Sequence, residues 1–259
     1  MNITLPSKNR TAMCDYVLQM ADSNLILAQR LCEWCGHGPI LEQDIALSNI
    51  GLDLLGATRS LYQYAAQLQN ENKTEDDLAF LRGERDFRNF LICELPKGDF
   101  GFTVVRQFLF EAYQLLLLEA LQQSSDTHLA AIAEKSHKEA LYHYKWSAEW
   151  VIRLGDGTEE SKRRVQESID DIWTYTGEFF IATEWEQELI AAGAIPDFRT
   201  FANAWKEKVA EVFNEATLTM PPADVFMQKG GKNGVHTEHL GFLLAEMQYM
   251  QRQFPGEEW

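Results

Sequence analysis

The sequence contains few basic residues, few prolines, few cysteines and only short apolar runs. Its 259 residues carry 23 Lys and Arg against 39 Asp and Glu, which gives a formal net charge of −16. So acidic a surface repels phosphate groups, and this argues against nucleic acid or an anionic membrane surface as a partner. Apolar runs such as 115–118 are far shorter than the roughly 20 residues that span a bilayer.

The cysteines and the amino terminus bear on the cellular compartment. The four cysteines, Cys14, Cys32, Cys35 and Cys93, do not form the dense framework of a small secreted protein. We expect Cys32 and Cys35 to be buried on an apolar helix face rather than to act as a redox pair. Residues 1–10 are polar and lack the apolar stretch of a signal peptide. The sequence therefore predicts a cytoplasmic protein with a flexible amino terminus at residues 1–10.

Helical periodicity dominates between the seven prolines. Apolar residues recur at steps of three and four over 11–34, and Leu47, Leu54, Leu61 and Leu68 repeat every seven residues over 41–68. Further helices are predicted over 102–123, 128–154, 161–189, 200–217 and 236–252, with a broken helical stretch over 75–94. No run of alternating β-branched residues competes. Residues 1–259 are therefore expected to form one all-α domain, a bundle of antiparallel helices.

Four of the predicted helices carry polar side chains on a face that is otherwise apolar or small. Ferritin-like bundles build their di-iron sites at such positions, from a Glu on each of two helices and a Glu-x-x-His pair on each of two others. The spacing of three residues directs both side chains of a pair to one helix face. The corresponding positions in this sequence are Asn24, Asp53, Gly56, Glu111, Glu139, Tyr142 and His143.

These positions lack several of the ligands that two iron ions require. Asn24 offers a neutral amide where a bridging carboxylate is wanted, and Asp53 has no His three residues later. Glu139 is followed at that spacing by Tyr142, and His143 comes one residue late, rotated by about 100° around the helix. We therefore predict no metal ligand and no catalytic residue in this chain, and a buried network of hydrogen bonds or ion pairs instead.

Five segments carry a family resemblance. They are ADSNLILAQRLCEWCGHGPILE at 21–42, DIALSNIGLDLLGATRSLYQYAA at 44–66, KEALYHYKWSAEWVIRLGDGT at 138–158, FNEATLTMP at 213–221 and GGKNGVHTEHLGFLLAEMQYMQRQFPGEEW at 230–259. Together they resemble the PaaC-type structural subunits of the phenylacetyl-CoA ring epoxidase, a bacterial multicomponent oxygenase, over about residues 16–259. The resemblance implies a ferritin-like bundle with extra carboxy-terminal helices.

The resemblance also implies a non-catalytic chain with defined partners. These are a homologous catalytic subunit that holds the di-iron cofactor, a small bridging subunit and a reductase. Their complex epoxidises the aromatic ring of phenylacetyl-CoA with NADPH and O₂, and the chain alone is a candidate homodimer. Two alternatives stay open. One is a di-iron oxygenase in its own right that uses Asp53, Glu111, Glu139 and His143, and the other is a helical adaptor whose own pocket binds the CoA ester.

One loop is basic although the protein is acidic. It comprises Lys229, Gly230, Gly231 and Lys232 and precedes a predicted helix. Backbone N–H groups in such a loop are candidates to contact an anion, such as a CoA phosphate, or a partner protein. Most of the 39 carboxylates lie outside the apolar stripes. They are predicted to cover the outside of the bundle and to orient docking onto a less acidic partner.

Overall fold

The computed structural model describes residues 7–257, and all regular elements in this part of the chain are helical. The α-helices are α1 (Ser7–Cys32), α2 (Leu41–Gln69), α3 (Glu75–Phe80), α4 (Leu91–Glu94), α5 (Phe100–Leu121), α6 (Thr127–Gly155), α7 (Glu159–Trp173), α8 (Glu184–Ala191), α9 (Ala202–Glu215), α10 (Glu238–Met247) and α11 (Tyr249–Gln253). The predicted all-α class is confirmed. Of the predicted flexible terminus, residues 1–6 lie outside the described residues, and α1 begins at Ser7.

The four long helices form the bundle that positions the site. α1 packs along α2, α5 packs along α6, and α2 contacts α6. The predicted heptad stripe of α2 lies in the core, because Leu47, Leu54, Leu61 and Leu68 are all buried. α5 is buried on nearly every face, since α7 and α9 cover it in addition to α6. A polar side chain on α5 must therefore find its hydrogen-bond partners inside the bundle.

The prediction of a single helix over 161–189 is wrong. α7 ends at Trp173, and a 3₁₀ turn follows in which Phe179 is fully buried. A new helix, α8, then starts at a capping box. The Thr183 hydroxyl accepts the N–H of Glu186, and the Glu186 carboxylate accepts the N–H of Thr183 in return. The turn and the capping box replace the helical hydrogen bonds that a continuous helix would have made.

The two cysteines of the CxxC motif lie at the end of α1 and are not both buried. Cys32 is the last residue of that helix and is half-buried close to Gly51 of α2. Cys35 lies in the following turn and is exposed. The prediction that both are buried is therefore wrong for Cys35, because the helix and its apolar stripe end three residues earlier.

The carboxy-terminal helices α10 and α11 are anchored to α3 and α4 by hydrogen bonds. The helix predicted over 236–252 is divided at Gln248, whose side-chain Nε2 donates to the carbonyl oxygen of Ala79 at 3.0 Å. The N–H of Thr237 donates to Oε1 of the buried Glu94 at 2.9 Å. Among residues 7–257, no helix has the length and apolar character that crossing a membrane demands.

Candidate functional site

The bundle brings five of the seven predicted positions to one small cavity between α1, α2, α5 and α6. They are Asn24, Asp53, Glu111, Glu139 and His143. The other two, Gly56 and Tyr142, are exposed on the outer side of α2 and α6. The cavity measures about 20 Å³, taken as the volume open to the centre of a water molecule. That volume suffices for about one water molecule and not for an organic substrate.

His143 lies at the centre of this site and connects two carboxylates. Its Nδ1 lies 3.2 Å from Oε1 of Glu111, and its Nε2 lies 3.1 Å from Oδ2 of Asp53. The His143 and Glu111 side chains are buried, whereas 40% of the Asp53 side chain is exposed. Ionised carboxylates only accept hydrogen bonds, so both ring nitrogens can donate only when the ring carries two protons. The geometry therefore favours an imidazolium cation.

The electrostatic surroundings of His143 act in the same direction. Burial alone would lower the pKa of His143, but the negative charge of Glu111 and the hydrogen bonds to Glu111 and Asp53 raise that pKa above its ordinary value. Gln107 supplies a second donor to the same acid, because its Nε2 lies 2.7 Å from Oε1 of Glu111. The buried Glu111 carboxylate is thus compensated by one cation and one amide of this chain.

The remaining cavity-lining positions differ in charge. The Asn24 amide oxygen accepts a hydrogen bond from Nε2 of Gln114 at 3.1 Å, so this side of the cavity is neutral. The Glu139 carboxylate, in contrast, makes no hydrogen bond with any residue that the structure describes. Burial and the negative charge of Asp53 raise the pKa of Glu139, and Lys135 offsets part of that effect.

The residues present do not fit a di-iron centre. Such a centre takes about six protein ligands, four carboxylates and two imidazoles. Here both nitrogens of His143 are committed to carboxylates, and the amide oxygen of Asn24 is committed to Gln114. Within residues 7–257, no group of three or more His, Cys, Asp or Glu side chains is arranged to hold a metal ion. The site is organised instead around an imidazolium that donates one N–H to each of two carboxylates.

Two residues of the site were not identified from the sequence, although their spacing from Glu111 indicates them. Gln107 lies four residues before Glu111, and Gln114 lies three residues after it. Because residues three and four apart share a helix face, the three side chains form a polar stripe along α5. Each of the three takes part in a hydrogen bond inside the bundle. A search for repeated polar positions, rather than single ones, would have found them.

The basic loop at 229–232 binds an anion of the chain itself. Lys232 is buried, and its Nζ donates to Oε1 of Glu186 at 2.9 Å. The N–H of Gly230 donates to Oε1 of the buried Glu178 at 2.8 Å. Burial lowers the pKa of Lys232, and the charge of Glu186 opposes that effect. The Lys232 ammonium is therefore bound to a carboxylate of this chain, and of the two loop lysines only Lys229 is accessible to solvent. The contact of the loop with an anion or a partner stays a prediction.

Comparison with known proteins relates this chain to phenylacetate catabolism. A family model described as "Phenylacetic acid catabolic protein" matches residues 2–259. A relative from Escherichia coli (strain K12), one of the subunits of its 1,2-phenylacetyl-CoA epoxidase, is 48% identical over 244 residues. The matched residues cover 94% of this chain and 98% of that relative.

Proposed function

Because the chain belongs to the phenylacetic acid catabolic protein family, we propose that it is a non-catalytic structural subunit of a phenylacetyl-CoA epoxidase. It pairs in the cytoplasm with a homologous catalytic subunit, in a complex that includes a small bridging subunit and a reductase. The di-iron cofactor resides in the catalytic subunit, and the complex serves aerobic phenylacetate degradation. The similarity to an epoxidase subunit extends over nearly the full length of both proteins, and it supports the assignment of this chain to such a complex.

The position of His143 is the observation that carries the non-catalytic part of the proposal. Each of its ring nitrogens faces a carboxylate oxygen at 3.1–3.2 Å. A ring nitrogen that donates a proton has no lone pair for a metal. The imidazolium therefore supplies the positive charge that a metal ion supplies in a ferritin-like active centre, and it does so without redox chemistry.

The role of such a subunit is thermodynamic. A partner that binds only the folded catalytic subunit stabilises that fold by mass action. A stable interface of ordinary size covers about 800 Å² on each protein and fixes the helices beneath it.

The two alternatives receive less support from the site. An oxygenase in its own right would need ligands that His143 and Asn24 do not offer. An adaptor with its own pocket for the CoA ester would need more space beside these residues than a cavity of about 20 Å³. No observation on the described residues favours either alternative over the structural subunit.

The test of this proposal measures metal binding and complex formation separately. The purified chain is incubated anaerobically with Fe(II), desalted and analysed for iron, with the homologous catalytic subunit treated identically as the positive control. We expect well below one iron per chain here and stoichiometric iron in the control. In a second step, the two subunits are co-expressed with a tag on the catalytic subunit only, and we expect both to elute together.

Two results would contradict the proposal. Two irons per chain, lost in a Glu111→Ala variant that remains folded, would identify a metalloprotein and refute the non-catalytic role. Failure of the tagged and untagged subunits to associate at micromolar concentration would refute the supporting role, whatever the iron content.

A further inference from the structure

One side of α2 carries a strip of apolar side chains exposed to solvent. Leu41 is 72% exposed, Ile45 is 51% exposed and Leu52 is 63% exposed. Their spacings of four and seven residues place them on one face of the helix. The strip is apolar although the protein carries a net charge of −16. Contiguous exposed apolar surface commonly marks a protein–protein contact.

Gly56 continues this strip and has no explanation within the chain. It lies in the interior of α2 and is exposed, and a Cβ added to it would meet no atom within 4 Å. A glycine inside a helix is destabilising relative to alanine, so a glycine with room for a side chain carries an uncompensated cost. Glycine does permit another backbone to approach closely. The position is therefore suited to close contact with a second protein.

The strip lies beside negative charge that the chain leaves unbalanced. Asp53 of α2 is partly exposed, and Glu139 of the neighbouring α6 is half-buried without a hydrogen bond from any described residue. Three carboxylates, those of Asp53, Glu111 and Glu139, line the cavity beside one imidazole. Lys135 and His143 compensate Glu139 only in part, since burial and the charge of Asp53 still raise the pKa of Glu139. A cation brought from outside would complete the balance.

The opposite rim of the groove, on α6, carries an exposed aromatic side chain and two lysines. Tyr142 is 52% exposed, and the exposed Lys138 and Lys135 lie four and seven residues before it, on the same face of the helix. The hydrogen bond between His143 of α6 and Asp53 of α2 shows that the two helices are adjacent. The surface thus has the apolar strip of α2 on one side, Tyr142 with two lysines of α6 on the other, and the carboxylates of Asp53 and Glu139 between them.

We infer that this groove between α2 and α6 is the docking surface for the catalytic subunit, and that the segment it receives presents a Lys or Arg among apolar side chains. The inference rests on the proposed function, which supplies the partner. The inference adds two points to that function: which face of this chain contacts the catalytic subunit, and which kind of side chain the catalytic subunit places there. The basic group approaches Asp53 and Glu139, and the partner's backbone passes closest to α2 at Gly56.

Paired variants test the apolar strip by the affinity of the isolated chain for the purified catalytic subunit. Leu52→Glu places a charge on the groove, and Phe242→Glu places one on α10, where the native side chain is 74% exposed. We expect Leu52→Glu to raise Kd at least tenfold and Phe242→Glu to leave it within about threefold. Gly56→Leu blocks the close approach and is also expected to raise Kd at least tenfold, while its urea midpoint equals or exceeds that of the wild type.

A second pair of variants tests the carboxylates between the two helices. Glu139→Gln removes the charge and keeps the shape, and Glu134→Gln does the same at an exposed position of α6 that does not line the cavity. We expect Glu139→Gln to raise Kd about threefold to tenfold at low salt and to make binding less dependent on salt concentration. Glu134→Gln is expected to change neither quantity.

The outcomes separate the inference from the proposed function. A wild-type chain that does not bind the catalytic subunit refutes the function itself. Wild-type binding that is unaffected by Leu52→Glu and Gly56→Leu, whether or not Phe242→Glu weakens it, overturns the groove and leaves the function standing. A wild-type homodimer that Leu52→Glu dissociates, with unchanged affinity for the catalytic subunit, also overturns the inference, because the occupant is then a second copy of this chain.

Discussion

Replacement of His143 with Gln removes the positive charge between two carboxylates and keeps a hydrogen-bonding side chain. Glu111 is 1% exposed and would retain only the amide of Gln107 as a donor. Removing one partner of a buried ion pair costs about 3–5 kcal/mol. Asp53 is partly hydrated, and the new amide can restore one hydrogen bond. We therefore expect the free energy of unfolding to fall by about 2–4 kcal/mol near pH 6.

The sign of the pH dependence follows from the raised pKa of His143. The folded state binds the proton more tightly than the unfolded state, whose imidazole has a pKa of about 6.5. The stabilisation is fully present below that pKa and is lost as the pH rises through the higher pKa of the folded state. Between these two values, the stability difference between wild type and His143→Gln shrinks by at most about 1.4 kcal/mol per pH unit.

Urea unfolding of both proteins at several pH values between about 6 and 9 measures this difference. His236 also has a raised pKa, in spite of its burial, because Glu94 lies beside it. It titrates in both proteins, however, and cancels in the difference. A deficit below about 1 kcal/mol at the lowest pH, or a deficit that grows as the pH rises, would refute the imidazolium bridge.

Three further predictions concern the loop at 229–232 and the cysteines. Lys232→Met leaves a buried carboxylate unpaired and should cost about 3–5 kcal/mol by urea unfolding, whereas Lys229→Met on the loop surface should stay within about 0.5 kcal/mol; equal effects would contradict the buried pair. Gly231→Ala would place a Cβ 2.2 Å from a backbone oxygen, so its thermal midpoint should fall by several degrees, and an unchanged midpoint would contradict the close packing. Cys35 is exposed, whereas burial raises the pKa of the Cys93 thiol. Mass spectrometry after brief treatment of the native protein with iodoacetamide should therefore find label on Cys35 and none on Cys93.

The long helices could be predicted from sequence because burial and periodicity coincide in them. The heptad of leucines in α2 marks its buried face, and a polar residue such as Glu111 stands out on the apolar α5. The break after Trp173 was missed. The residues of 161–189 keep a helical pattern through it, although Thr183 and Glu186 have the spacing of a capping box, which is a sequence signal for a new helix start.

The geometry of the site was harder to predict, because a few degrees of helix rotation decide which residues face inward. Asp53 and Glu139 lie at the margin of their buried faces. Three residues further on, a helix has turned by about 300°, which carries Gly56 and Tyr142 outward, whereas a step of four turns by about 40° the other way and carries His143 inward. The later position of His143, which the sequence presented as a defect, is what makes it central. Periodicity shows which face of a helix is apolar, but it does not show which residues lie at the margin of that face.

The carboxy-terminal segment 230–257 supplies donors to three buried acids that belong to other parts of the chain. Glu178 accepts the N–H of Gly230, Glu186 accepts the ammonium of Lys232, and Glu94 accepts the N–H of Thr237. A protein cut at residue 229 would lose these three donors, and a carboxylate that stayed buried without its partner would cost about 3–5 kcal/mol, a large part of the stability of a domain. The final segment therefore supplies one cation and two backbone donors to acids of the bundle, and a version trimmed to the four long helices would need those acids redesigned.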